Sequence, residues 1–75
     1  MNHPTLPHIL NIGKRAAIPV RDLADASNSY GLERDESGEG ASTFPEGRIT
    51  IDGVKYRISY NGRVWNGKAL IMEPQ

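Results

Sequence analysis

The chain has 75 residues with no cysteine, and its nine basic and nine acidic side chains give a formal net charge of zero. A chain of this length forms one domain and buries only about 60% of the surface that its unfolded state exposes. Without cysteine it has neither disulfides nor thiolate metal ligands. No apolar run approaches the roughly 20 residues that span a bilayer, and the N-terminus lacks a signal-peptide pattern. We therefore expect one small cytoplasmic domain, residues 1–75, without a membrane segment.

The N-terminal segment gives weak structural signals. Residues 9–12 are compatible with a short edge strand or with one helical turn, and Gly13 begins a connector. Untethered termini fray, so we expect residues 1–7 to be frayed. His3 and His8 have no third ligand at a metal-binding spacing, so we expect no metal and no cofactor.

Pro19 and the following VRDLADASNSY predict the only amphipathic helix of the chain, because proline is tolerated in the first helical turn. Gly31 offers a C-terminal stop, but the helix can also continue through it to Arg34 at a cost of about 1 kcal/mol. We predict a helix over residues 20–34, with Tyr30 turned back onto the core. Its predicted apolar face consists of Val20, Leu23, Ala24 and Ser27.

Residues 35–47 are predicted to form a long acidic loop rich in glycine. Loops longer than about 12 to 15 residues in a compact domain are usually functional or disordered. Its Gly38-Glu39-Gly40 lacks the lysine and hydroxyl residue of a phosphate-binding loop, so a nucleotide site is not favoured. Phe44 is expected to anchor the end of the loop in the core.

Asp52-Gly53, Asn61-Gly62 and Asn66-Gly67 divide the β-favouring residues 48–72. Two-residue type I′ turns select these dipeptides, because both central residues need a positive φ. The pattern predicts an antiparallel β-meander of three to four strands packed on the helix. The predicted fold class is therefore α+β.

A two-residue turn at Asp52-Gly53 pairs Ile51 with Val54 and Arg48 with Arg57. Because side chains alternate along a strand, one face of the hairpin is then apolar and the other basic. The predicted apolar face consists of Ile49, Ile51, Val54, Tyr56, Ile58 and Tyr60. The predicted opposite face consists of Arg48, Thr50, Lys55, Arg57 and Ser59.

A second two-residue turn at Asn61-Gly62 pairs Ile58 with Trp65, which makes Trp65 the central side chain of the core. Asn66-Gly67 allows either a tight hairpin or a glycine bulge within one longer strand. The register after Trp65 therefore stays open.

RDESGEGASTFPEG at residues 34–47 and ISYNGRVW at residues 58–65 resemble short uncharacterised reading frames of bacteriophages and prophages of proteobacteria. The resemblance covers the C-terminal half of the chain. It implies an origin in a mobile element and transfers no catalytic or binding residue.

The charges are unevenly distributed along the chain. Residues 32–47 contain five acidic side chains and one basic, whereas residues 48–75 contain five basic and two acidic. This asymmetry indicates either partners of opposite charge or attraction between the loop and the sheet within one domain. No nucleophile has a base at a recognisable spacing, so we expect no enzyme activity.

We expect a non-catalytic binding protein that acts stoichiometrically on a host protein or complex, as anti-defence proteins such as anti-CRISPR inhibitors do. In this hypothesis the acids imitate the phosphates of a nucleic acid. The predicted contact residues are Glu33, Asp35, Glu36 and Glu39.

The alternative is a nucleic-acid-binding protein that uses the basic sheet face. With Tyr56, Tyr60 and Trp65 assigned to the core, this face lacks the stacking groups of single-strand readers. We expect a monomer or a weak homodimer formed through a sheet edge. The alternative contact residues are Arg48, Lys55, Arg57 and Arg63.

Overall fold

The computed structural model describes residues 6–74, which form one helix and one antiparallel sheet of six strands. The α+β class is confirmed, and the sheet has more strands than the three to four predicted. The strand order across the sheet is β2-β1-β3-β4-β5-β6. The elements in chain order are β1 His8–Ile12, β2 Ala16–Val20, α1 Leu23–Ser37, β3 Gly47–Ile51, β4 Val54–Ile58, β5 Val64–Asn66 and β6 Ala69–Met72.

The two additional strands come from the N-terminal segment. β1 pairs with β2 on one side and with β3 on the other, so it is an interior strand and neither an edge strand nor a helical turn. Pro19 lies in β2, opposite Ile9. An edge strand tolerates proline because the missing N–H faces solvent. The prediction of a frayed terminus falls mainly on residues 1–5, which lie outside the described residues.

The helix begins later than predicted because Asp22, not Pro19, determines its start. The Asp22 carboxylate accepts the Asp25 N–H at 2.9 Å, and the Asp25 carboxylate accepts the Arg21 N–H at 2.9 Å. The first bond satisfies an N–H group that a helix N-terminus otherwise leaves without a partner, and the second holds the residue before the cap. The predicted start at residue 20 is therefore wrong.

The end of the helix also differs from the prediction. The helix continues through Gly31 to Ser37, and Gly38 follows with a φ of 69°. A glycine with a left-handed backbone conformation commonly ends a helix. The acidic segment therefore belongs partly to the helix, and the loop occupies residues 38–46 rather than 35–47.

The helix packs on one face of the sheet through three buried residues, Ala26, Ser27 and Tyr30. Ser27 Oγ donates to the Gly62 carbonyl and Tyr30 Oη to the Pro45 carbonyl, each at 2.9 Å. The first contact ties the helix to the connection before β5, and the second ties it to the loop before β3. The predicted inward turn of Tyr30 is confirmed, and burial raises the pKa of its hydroxyl.

The core lies between α1 and the covered face of the sheet. Phe44 is 4% exposed and its ring centroid is 5.5 Å from that of Tyr30, which confirms its role as the anchor of the loop. A Cβ at Gly47 would lie 3.0 Å from both Leu10 and Tyr30, so this glycine lets the two layers approach closely. The buried apolar residues are Leu10, Ile12, Val20, Ala26, Tyr30, Phe44, Ile49, Ile58 and Val64.

The β3–β4 hairpin has the register that the sequence predicted. Ile51 is opposite Val54 and Arg48 is opposite Arg57. Asp52 and Gly53 both have a positive φ, of 52° and 79°, as a type I′ turn requires.

The register predicted for β4 and β5 is wrong. Ile58 is opposite Val64, and Trp65 is opposite Arg57. The connection occupies residues 59–63, so Asn61-Gly62 is not a two-residue turn. Because one residue of shift exchanges the two faces of a strand, Val64 takes the core position and Trp65 lies on the opposite face.

The last two strands form a tight hairpin. Asn66 is opposite Ala69, so the turn consists of Gly67 and Lys68. Val64 is opposite Met72 and Trp65 is opposite Leu70, which leaves Ile71 as a bulge residue without a partner on β5. Of the two alternatives, the tight hairpin is the one observed, and its turn lies one residue later than Asn66-Gly67.

Candidate binding surfaces

The face of the sheet that α1 does not cover carries a row of side chains from five strands. Asn11 on β1 is opposite Arg48 on β3, which is opposite Arg57 on β4. Arg57 is opposite Trp65 on β5, and Trp65 is opposite Leu70 on β6. Residues directly opposite each other on antiparallel strands share a face of the sheet. We call these five residues the cross-strand row.

Arg57 and Trp65 are held in place by several contacts. The guanidinium carbon of Arg57 lies 5.6 Å from the centroid of the Trp65 ring, and Nη1 donates to Glu46 at 2.8 Å. The indole Nε1 of Trp65 donates to Ser59 Oγ at 3.2 Å. The uncovered face therefore presents an aromatic side chain in a fixed position, with a cation over its ring.

A shallow depression of about 270 Å³ lies beside the cross-strand row. Thr50 and Lys55 are opposite each other, and Arg48 lies two residues before Thr50 on the same face. Arg48 and Lys55 are exposed, and neither has an ion pair within residues 6–74. This arrangement can accept an anionic group. The lining residues are Arg48, Ile49, Thr50, Lys55 and Tyr56.

Arg63, the fourth predicted cation, lies in the connection before β5 and not in the cross-strand row. Its Nε is 3.0 Å from Glu73 Oε1, and the two side chains are 46% and 61% exposed. The structure therefore brings Arg48, Lys55 and Arg57 together on one face and pairs Arg63 separately.

The four predicted acidic contact residues do not form one loop surface. Glu33, Asp35 and Glu36 lie in the last turns of α1, and only Glu39 lies in the loop. Asp35 is 71% exposed and accepts Arg34 Nε at 3.2 Å.

Glu39 forms an ion pair with Arg15 in the turn between β1 and β2. Hydrogen bonding to Arg15 lowers the pKa of Glu39, although burial partly opposes it. The Arg15 guanidinium carbon also lies 5.3 Å from the Phe44 ring centroid. Glu39 therefore joins the loop to the N-terminal hairpin, and the expected array of phosphate-like acids is split between two places.

A second concave region lies between α1 and the connection that precedes β5. Arg34 crosses it, donating from Nη1 to the Tyr60 carbonyl at 2.7 Å and lying 5.5 Å from the Tyr60 ring centroid. Leu32 at its rim is 64% exposed. The groove has a volume of about 410 Å³ and is lined by Ser27, Asn28, Gly31, Leu32, Arg34, Asp35, Asn61, Gly62 and Pro74.

Sequence reasoning missed Trp65 as a member of the uncovered face. Ser59 and Asn61 carried the relevant signal, because such side chains bond to nearby backbone and compete with a tight turn. Asn61 Oδ1 accepts both the Arg63 N–H at 3.2 Å and Ser59 Oγ–H at 2.6 Å.

Comparison with known proteins finds no family model and no solved structure that matches this chain. Within residues 6–74, no helix combines the length and apolar character needed to cross a membrane.

Proposed function

We propose that this protein is a non-catalytic binding protein that docks stoichiometrically on a host protein or protein complex through the uncovered face of its sheet. The observation that carries the proposal is the cross-strand row, which aligns Arg48, Arg57, Trp65 and Leu70 across four neighbouring strands. Tryptophan and arginine are enriched in the cores of protein interfaces and among the residues that dominate binding energy. Leu70 is 44% exposed and adds apolar surface at the end of the row.

The distribution of charge favours a protein over a nucleic acid as the partner. Arg57 is paired with Glu46 and Arg63 with Glu73. Affinity for nucleic acid rises with the number of phosphates that cations neutralise, and paired cations contribute less to it. Arg48 and Lys55 are the cations of this face without an ion pair within residues 6–74. They lie among an aromatic ring and exposed apolar side chains, a mixture that matches the composition of protein interfaces more closely.

The resemblance of residues 34–47 and 58–65 to phage and prophage frames supports a host component as the partner. An inhibitor of the anti-defence or anti-CRISPR type is the role that fits such an origin. In this proposal the acidic residues of α1 lie on the opposite layer from the contact face and make no direct contact.

The proposal is tested by capture from a proteobacterial lysate with three tagged chains. These are the wild type, a sheet-face variant with Arg48→Ser and Leu70→Ser, and an acidic variant with Glu33→Gln and Glu36→Gln. All four positions lie outside the buried core, so each variant is expected to fold, which circular dichroism checks. A partner retained by the wild type and the acidic variant but lost by the sheet-face variant supports the proposal. A partner lost only by the acidic variant would show that the contact surface lies on α1.

A second measurement locates the contact directly. Trp65 is the only tryptophan of the chain, so incorporation of 5-fluorotryptophan gives a single fluorine resonance. Addition of the purified partner is expected to shift or broaden this resonance. An unchanged resonance at saturating partner would place the contact away from the sheet face.

Nucleic-acid binding by the same face is the second candidate, favoured by the depression that Arg48, Thr50 and Lys55 line on the face that also carries Trp65. Single-stranded DNA or RNA would then place a phosphate on the cations and a base against the indole. A mobility-shift titration at two salt concentrations discriminates the candidates, because log affinity falls by about 0.7 per phosphate contacted for each unit of log salt. Tight, salt-sensitive binding that Lys55→Ser weakens would replace the protein-partner proposal.

A further inference from the structure

The two edges of the sheet differ in how they are protected against pairing with another strand. A free edge exposes backbone N–H and C=O groups, and proteins commonly block it with proline or charge. The β2 edge contains Pro19, whereas β6 contains neither proline nor a charged residue. Leu70 and Ile71 of β6 are each 44% exposed. The β6 edge is therefore the open one.

The sequence around β6 has opposite charges at equal distances from its centre. Residues 68–73 read KALIME, with a cation at one end, an anion at the other and four apolar residues between. We propose that a second copy of this chain pairs with β6 in antiparallel orientation, with the twofold axis between Leu70 and Ile71. In this register Lys68 lies opposite Glu73 of the second copy, and the same pair recurs on the other side of the axis.

The charges favour this register over its neighbours. Within residues 6–74, Lys68 has no ion pair, so the second copy supplies an acid that the chain itself does not. Glu73 uses Oε1 for Arg63, and its carboxylate has further acceptor capacity. A shift of two residues in either direction removes both opposite-charge pairs. Opposite charges placed directly across two strands stabilise their pairing.

The bulge at Ile71 affects how β6 can pair with a second strand. Ile71 has no partner on β5, so its position in the ladder is irregular. A bulge interrupts the alternation of side chains between the two faces, so Leu70 can lie opposite Ile71 of the second copy on the same face, as a twofold axis between them requires. The paired segment is short and lies well below the standard size of a stable interface, so the dimer is weak. This inference does not depend on the proposed function.

Sedimentation of the purified chain over a roughly hundredfold range of concentration tests the pairing. The mean mass is expected to rise from 8.3 kDa towards twice that value. Ile71→Lys is expected to keep the protein at the monomer mass. Ile9→Lys is the matched control, because Ile9 is 45% exposed on β1, which three strands separate from β6, and this variant should dimerise as the wild type does.

A charge exchange tests the register. Lys68→Glu and Glu73→Lys are each expected to weaken the dimer several-fold, and the double variant is expected to restore it. A wild type that stays at the monomer mass throughout overturns the inference. Equal loss of dimer with Ile9→Lys, or failure of the double variant to recover, also overturns it, since either result places the contact elsewhere.

Discussion

Two connections in the sheet each contain a dipeptide typical of a two-residue turn, but their geometries differ. Asp52-Gly53 closes a two-residue turn, whereas Asn61-Gly62 lies inside a longer connection over residues 59–63. In the first, both central residues have a positive φ, and in the second only Gly62 does. The dipeptide therefore indicates a reversal of the chain, but it does not determine the length of that reversal.

The difference arises from what each connection contacts. The Ser59 N–H donates to the Arg63 carbonyl at 2.9 Å, and the side chains of Ser59 and Asn61 bond within the same segment. The Gly62 carbonyl accepts a hydrogen bond from Ser27 on the helix. A longer connection thus satisfies its own polar groups and receives a helix contact. Asp52-Gly53 instead closes its turn with both residues at positive φ, as its dipeptide predicts.

The largest expected effect tests which residue of β5 lies in the core. Val64→Ser removes a fully buried side chain and buries a hydroxyl, which together should destabilise the domain by roughly 3 to 5 kcal/mol. Trp65→Ser, on the uncovered face, should cost about 1 to 2 kcal/mol. Urea unfolding followed by circular dichroism measures both. A Trp65 variant less stable than the Val64 variant would mean that the register of β5 is the one predicted from a two-residue turn.

A smaller change in stability is expected when the glycines of the two connections are replaced by alanine. Gly53→Ala should cost about 1 to 2 kcal/mol, because its φ of 79° disfavours a Cβ although the space around it is open. Gly62→Ala should cost more, because its φ is 91° and a Cβ would lie 2.9 Å from Pro74 Cβ. Thermal unfolding of the two variants measures the difference. Adding Pro74→Gly to the Gly62→Ala variant should remove only the part of its destabilisation that exceeds that of Gly53→Ala. If Gly53→Ala and Gly62→Ala destabilise the protein equally, the Pro74 contact is absent.

The smallest effect concerns a connection held by an ion pair, the β1–β2 turn with Arg15 and Glu39. Because the folded state lowers the pKa of Glu39, this pair stabilises the fold above the unfolded value near 4.5. The contribution is lost as the pH falls through the lower folded pKa. The melting temperature of Glu39→Gln should therefore lie slightly below that of the wild type at pH 7 and converge with it in acid. A difference that persists in acid would exclude the ion pair as its cause.

The parts of the fold that local chemistry determines could be predicted from the sequence. The β3–β4 register followed from Asp52-Gly53, and the burial of Tyr30 and Phe44 followed from their positions. Pro19 misled the prediction because proline fits both the first turn of a helix and an edge strand. The N-terminal hairpin was missed for the same reason, since Pro19 and Val20 were taken as the start of the helix.

The contact face was predicted only in part. Arg48, Lys55 and Arg57 were placed on one face correctly, because their positions depend on the β3–β4 turn alone. Trp65 was placed on the wrong face because an error of one residue in the next connection inverts a strand. The acidic residues were read as a loop because the helix stop at Gly38 is indistinguishable in sequence from several nearby glycines.

The junction between β1 and β3 also affects how the chain folds. The two strands share only two register pairs, Asn11 with Arg48 and Ile12 with Gly47. Each half of the sheet is built from neighbouring strands that pair locally, whereas this junction closes a long loop that contains the whole helix. During synthesis the N-terminal hairpin and α1 emerge from the ribosome before β3 does, so for that time they lack the strands against which they pack. Long-range pairing of this kind slows folding, and the closing of β1 onto β3 is therefore the step expected to limit the folding rate.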